Sequence, residues 1–156
     1  TRDLNKHLHT PRLLIRRTGN HICAAYSENP ELIESTIYIL KSDKINLKVL
    51  IGLLNSKLLT YYLSKRLVTN QQGFPQILMG QLDQLPIVIP AQASQKEILK
   101  LVDDLIELYG KINSIKLLTD KNQMNARITY CENKINRLVY EIYGLTNNEI
   151  RAIENS

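Results

Sequence analysis

The sequence has no tryptophan, a single phenylalanine and only two cysteines in 156 residues. Cys23 and Cys131 form no C-x-x-C pair, so neither a disulfide framework nor a thiolate zinc knuckle is in prospect. Each sits among apolar neighbours, which predicts buried free thiols in a reducing, cytoplasmic compartment. No apolar run approaches the roughly 20 residues needed to cross a bilayer, which argues against a membrane-spanning role. Glycine is scarce, with six residues, none arranged as G-x-G-x-x-G or G-x-x-x-x-G-K-[ST]. The usual loops that cradle dinucleotides and triphosphates are therefore missing, as is a G-x-S-x-G nucleophile elbow. The Asn-Pro-Pro-aromatic motif that holds a flipped base for methylation is missing too, because Phe74-Pro75 is a lone proline step. Together these absences predict a chain with no catalytic centre and no cofactor of its own. Thr1 to Thr10 lacks the apolar stretch of a signal peptide, and the chain reads as a fragment of a longer polypeptide.

What is present is an ordinary globular composition, 44% hydrophobic and 22% charged, with a net charge of +5. The length suits one well-filled unit. Residues 1–90 hold eleven Lys and Arg against six Asp and Glu, whereas residues 91–156 hold nine against nine. The excess of 11 − 6 = 5 positive charges thus falls entirely in the first part. A basic globule joined to a neutral segment is the distribution phosphate binding favours, since each neutralised phosphate releases counterions.

Hydrophobic periodicity divides the chain near Pro90. Pro11–Arg17, Ile22–Tyr26 and Ser35–Leu40 read as strands, the first two joined as a hairpin through Gly19-Asn20. Spacing of three and four over Leu47–Leu67 predicts one amphipathic helix with Lys48, Lys57, Lys65 and Arg66 on its polar face. Leu85–Ile89 reads as a further strand. Beyond it, Ser94-Gln95-Lys96-Glu97 has the form of a capping box opening a long helix. The pattern pauses near Thr119, Asp120 and Asn122, then resumes as a second long helix closed by Gly144 as C-cap. Thr146-Asn147-Asn148-Glu149 is another capping box, predicting a terminal helix over Asn147–Glu154. The expected fold is α+β: a small mixed β-sheet globule with packed helices over 1–90, then a long antiparallel helical hairpin over 91–156.

Several residue groups invite a chemical reading and resist it. His7 and His9 form an H-x-H pair with no further ligands to complete a metal site. Asp103, Asp104 and Glu107 fall on the expected solvated face of a helix. Glu28, Glu31, Glu34 and Lys41 lack the spacing that two-metal phosphodiester cleavage prefers.

Read in order, Pro11-Arg12-Leu13-Leu14-Ile15-Arg16-Arg17-Thr18-Gly19, Tyr38-Ile39-Leu40 and Leu50-Ile51-Gly52-Leu53-Leu54-Asn55-Ser56-Lys57-Leu58-Leu59 carry a family resemblance. It continues through Tyr61-Tyr62, Phe74-Pro75-Gln76-Ile77 and Leu82-Asp83-Gln84-Leu85-Pro86-Ile87. It ends in Ile135-Asn136-Arg137-Leu138-Val139-Tyr140-Glu141-Ile142-Tyr143-Gly144-Leu145-Thr146. The chain resembles the TaqI-like C-terminal specificity domain and departs from it at Asn136, where an acidic residue is expected. The resemblance implies a recognition globule and spacer helix, similar to half of a type I restriction specificity subunit. It also implies that this unit follows an adenine-specific methyltransferase domain in type IIG restriction-modification enzymes. S-adenosylmethionine and Mg2+ would then belong to that parent enzyme, and the partners would be double-stranded DNA and the methyltransferase/endonuclease domain of the same polypeptide.

On that reading the globule enters the major groove, where Arg or Lys bonds guanine and Asn or Gln bonds adenine. The candidates for bases are Arg16, Arg17, Asn20 and His21 around the first turn, and Asn70, Gln71 and Gln72 in the polar loop. Arg12, Lys57, Lys65 and Arg66 suit phosphates. Tyr61 and Tyr62 could stack on bases or continue the apolar stripe into the core. The alternative is a protein-interaction module in which the helical stripes assemble a homodimer or join another subunit.

Overall fold

The computed structural model describes residues 8–67 and 75–156. It is α+β, with three antiparallel strands, β1 (Arg12–Arg16), β2 (Ala24–Ser27) and β3 (Ile37–Leu40), in the order β2-β1-β3. Leu13 and Ile15 alternate onto the inner face and are fully buried, as the period of two requires. The connection between β1 and β2 runs from Arg17 to Cys23, longer than a two-residue turn. Arg16 N–H donates to Cys23 O at 3.0 Å, and Gly19 at φ +119° takes a conformation that a side chain would oppose. Cys23 points outward between buried Ile22 and Ala24, so of the two thiols expected in the core only Cys131 is there.

The stretch expected to be one helix is broken. Helix α1 (Leu47–Leu54) ends at Asn55, α2 (Lys57–Tyr62) follows, and its last turn widens into a π-helix over Leu63–Leu67. The break comes from two polar side chains that periodicity cannot see. Asn55 leaves the helix to pair with Ala24 of β2 through both amide groups, at 2.8 and 2.9 Å. Ser56, buried, donates to Leu53 O and accepts from Leu59 N–H, capping α2. Asn136 completes this join by accepting Lys57 N–H at 2.8 Å. The residue that departs from the family pattern therefore supplies the oxygen acceptor that an acid there would supply.

Leu85–Ile89 belongs to no ladder. Pro86 and Pro90 remove donors, and Leu85 is buried while Ile87, Val88 and Ile89 face outward. Instead Tyr143 fastens the segment, its hydroxyl donating to Pro86 O at 2.6 Å and accepting from Val88 N–H at 3.3 Å. A short helix, α3 (Met79–Leu82), precedes it. The long helix α4 (Gln92–Ile112) starts at N-cap Ala91, so Ser94 is inside its first turn and makes no capping box. Gln95 reaches back to Pro90 O at 2.8 Å instead.

Helix α5 (Leu118–Ile142) returns against α4 as the second arm of the hairpin, entered a little before the expected pause because Asn113-Ser114 already turn the chain. The apolar stripes face each other and α1, with Ile98, Leu101, Val102, Cys131, Ile135 and Val139 in one core continuous with the sheet. Gly52 makes that fit possible: a Cβ there would lie 2.7 Å from Ile98 Cγ2. Ion pairs Lys134–Glu97 and Arg127–Asp104 cross between the arms, and Tyr109 donates to Glu132 at 2.6 Å. Burial, together with the Glu132 hydrogen bond, pushes the Tyr109 hydroxyl up to about 12. Gly144 at φ +65° ends α5, and the Thr146/Glu149 capping box opens α6 (Asn147–Glu154) as expected. No described helix is long and apolar enough to cross a membrane.

Candidate nucleic-acid interface

The end of the sheet where β1 turns toward β2 is held from behind by the chain that follows Pro75. Gly19 N–H donates to Pro75 O at 2.9 Å, Ile77 N–H donates to Arg17 O at 2.7 Å, and Thr18 bridges to Gln76. Tyr38 of β3, opposite Ile15, donates its hydroxyl to Ile77 O at 3.2 Å and lies beneath the Arg17 guanidinium, 5.1 Å from its ring centre. Arg17 Nη1 also donates to Ser35 O at 2.8 Å. Tyr38 was no candidate from the sequence, although its place in a strand of alternating apolar residues was the available signal.

Arg16, Asn20 and His21 are exposed on the same turn and bonded to one another. Arg16 Nη2 is 3.2 Å from His21 Nε2, and His21 Nδ1 is 3.2 Å from Asn20 Oδ1. A guanidinium only donates, so His21 Nε2 accepts and its Nδ1–H donates to Asn20. The partners of Arg16 and Arg17 in these contacts are a ring nitrogen, a carbonyl and an aromatic face. None is a carboxylate, so both guanidiniums keep their charge uncompensated by these contacts. Their forked donors match guanine O6/N7 or phosphate oxygens. Four of the sequence-predicted residues are thus gathered at one turn of the sheet, Arg16, Asn20 and His21 exposed and Arg17 half-buried.

The other candidates are distributed differently. Arg12 is fully buried, and its Nη2 donates to Asn29 O at 2.9 Å and Glu31 O at 2.8 Å. It ties the loop after β2 to the central strand and faces no phosphate, which corrects the expectation for it. Arg12 shares the outward parity of Arg16 and is buried there because the loop after β2 folds over the start of β1 and offers carbonyls. Lys57 is half-exposed at the start of α2 and paired with Glu154 of α6. Lys57 first, and then the Tyr140 hydroxyl at 2.7 Å, hold the Glu154 carboxyl below its ordinary range. Lys65 and Arg66 are exposed in the π-helical turn, Lys65 over the Tyr61 ring at 5.9 Å. Tyr62 packs partly buried against the core. Asn70, Gln71, Gln72 and His7 lie outside the described residues.

Sequence reasoning missed an open cleft of about 700 Å3 at the opposite end of the sheet, lined by His9, Lys41, Asp43 and Lys44 among others. Four of the carboxylates considered for metal chemistry have other partners: Asp103 holds Lys48 at 2.5 Å, Asp104 faces Arg127, Glu107 pairs with Lys111, and Glu28 accepts from the Tyr26 hydroxyl at 2.9 Å. Among the described residues no three His, Cys, Asp or Glu side chains converge on a metal-sized site.

The comparisons agree with this architecture. A Methanocaldococcus jannaschii protein, RM.MjaORFECS2P, whose name assigns it to type II restriction enzymes and methyltransferases, is 34% identical over 147 residues. That match takes in 90% of this chain and 12% of the relative, so the chain spans a small part of the protein it matches. In solved structures, the fold recurs in the Type IIL restriction-modification enzyme MmeI, determined in complex with DNA, at a TM-score of 0.72 and 18% identity. The similarity covers 94% of this chain and 20% of that one. Residues 2–87, more than half of the chain, match the family model of the TaqI-like C-terminal specificity domain, and the chain belongs to that family.

Proposed function

We propose that this specificity domain reads a short sequence of double-stranded DNA on behalf of a restriction-modification enzyme, with the β1–β2 turn as its reading edge in the major groove. The observation that carries the reading is the cluster of exposed Arg16, Asn20 and His21 with half-buried Arg17 beside them, braced by Tyr38 and the Pro75–Ile77 segment. Base-edge hydrogen bonds need donors and acceptors held in place on a stiff support, and this turn provides both. Asn70, Gln71 and Gln72 belong to the same proposal, since their segment leads directly into Pro75. Lys65 and Arg66 are assigned to phosphates. Support also comes from the family and from the DNA in the MmeI structure.

Within this proposal the chain catalyses nothing. S-adenosylmethionine, Mg2+ and the adenine-methylating and cleaving groups belong to other domains of a type IIG-like polypeptide working in the cytoplasm.

The exposed Leu117 and Leu118 at the hairpin tip favour a secondary role in assembly with another subunit or copy, since the stripes themselves are already packed together. The test of the main reading is retention of a random duplex pool at two salt concentrations, with the retained DNA sequenced. We expect retention to fall steeply as salt rises and a short motif to be enriched. Retention without enrichment would remove sequence reading from this chain, and no retention would move the role to assembly.

A further inference from the structure

We infer that His21 is a positioning residue rather than a base reader: in its neutral Nδ1–H form it locks the Arg16 guanidinium into its reading pose. The inference rests on the proposed reading of DNA by this turn. Three observations carry it. His21 Nε2 lies 3.2 Å from Arg16 Nη2, and this contact requires a lone pair on Nε2. His21 Nδ1 lies 3.2 Å from Asn20 Oδ1, which fixes the proton on the other nitrogen and sets the ring plane. Gly19 leaves the space: a Cβ there would come within 3.1 Å of Arg16 Nη2, so the guanidinium lies close over the turn where a side chain would crowd it.

This arrangement has a chemical consequence. A long arginine side chain free in solvent loses rotamer freedom when it meets a base, and that loss weakens recognition. His21 takes up one guanidinium nitrogen and leaves the rest of the fork to face outward, so part of the ordering is complete before DNA arrives. Both ring nitrogens of His21 are occupied by Arg16 and Asn20, which leaves no ring nitrogen for a base edge. Asn20 retains its amide NH2 for an acceptor on DNA or for water.

The test is a double-mutant cycle on the full chain, read as retention of a labelled random duplex pool and as the motif enriched from it. Arg16→Ala should weaken retention roughly tenfold and erase preference at one position of the motif. His21→Ala should weaken it about three- to tenfold and blur the same position. In the Arg16→Ala background, His21→Ala should add little, because its effect passes through the guanidinium. His21→Gln places an acceptor near Nε2 and should recover most of the loss, whereas His21→Asn, which mimics Nδ1 alone, should not. Full additivity of the two alanine changes, or loss of preference at a different motif position in His21→Ala, overturns the positioning role while leaving DNA reading intact. An Arg16→Ala chain that retains and selects DNA as the wild type does overturns the positioning role and removes Arg16 from the proposed reading edge, and a wild-type chain that selects nothing overturns the reading itself. Matched urea midpoints for all variants exclude a folding effect.

Discussion

Along α4 and α5, Lys134 meets Glu97, Arg127 meets Asp104, Lys111 meets Glu107 and Lys48 of α1 meets Asp103. At the turn end of the sheet, Arg16 meets an imidazole and Arg17 a carbonyl and a tyrosine ring. These hairpin charges are therefore compensated, by each other or by α1, while the two arginines of the turn meet no carboxylate in their contacts. Arg12 sharpens the contrast, since it lies on the same strand as Arg16, yet its guanidinium is consumed by two backbone carbonyls. The difference between a scaffold arginine and the proposed reading arginine is thus one of partners, and four positions along β1 separate the two.

The comparison breaks first at Arg12. Arg12→Ala should cost about 3 kcal/mol, because it opens a cavity and strands the carbonyls of Asn29 and Glu31. Urea unfolding would show this as a lower midpoint at unchanged slope, and a loss under about 1 kcal/mol would return Arg12 to the list of DNA contacts. Gly52→Ala should cost about 1–3 kcal/mol, since its Cβ would press on Ile98 and force α1 away from α4. Thermal unfolding would detect it, with the enriched motif of the surviving folded protein unchanged.

At the proposed reading edge the effects should move from stability to binding. Arg17→Ala should shift stability by about 1 kcal/mol or less while weakening duplex retention several-fold. Parallel melting and retention measurements would separate the two. The smallest effect concerns acid. The Glu154 carboxyl is lowered from its ordinary 4.5 by Lys57 and then Tyr140, so its contribution is present above that value and lost as pH falls through the lowered one. Glu154→Gln should flatten the acid limb of the stability curve below about pH 4.5, by tenths of a kcal/mol for so exposed a pair. An unchanged acid limb would mean that the α2–α6 pair contributes nothing.

Much of this architecture was legible in residue spacing. The hairpin, the third strand, the two long helices and the α6 capping box all rest on local patterns: alternation, the three-four stripe and Thr-x-x-Glu. What escaped was decided by long-range polar contacts. Nothing local announces that Asn55 will leave its helix for Ala24, or that Asn136 will cap α2 from the far arm. Leu85–Ile89 looked like a strand because it is apolar, but its prolines and the Tyr143 hydroxyl give it another role. At the candidate site, Arg16, Arg17, Asn20 and His21 could be grouped from the sequence because they share one turn. Tyr38 was missed and Arg12 misassigned because their roles depend on which segment folds over them.

The most direct test compares the two regions in one experiment, changing Arg16 and Arg17 together to Ala in one chain and Arg127 and Lys134 together in another. Each is then offered the random duplex pool alongside the wild type. The account predicts that the first pair loses retention and the enriched motif, while the second keeps both at somewhat reduced stability. Equal losses from the two pairs, or a loss confined to the hairpin pair, would contradict it.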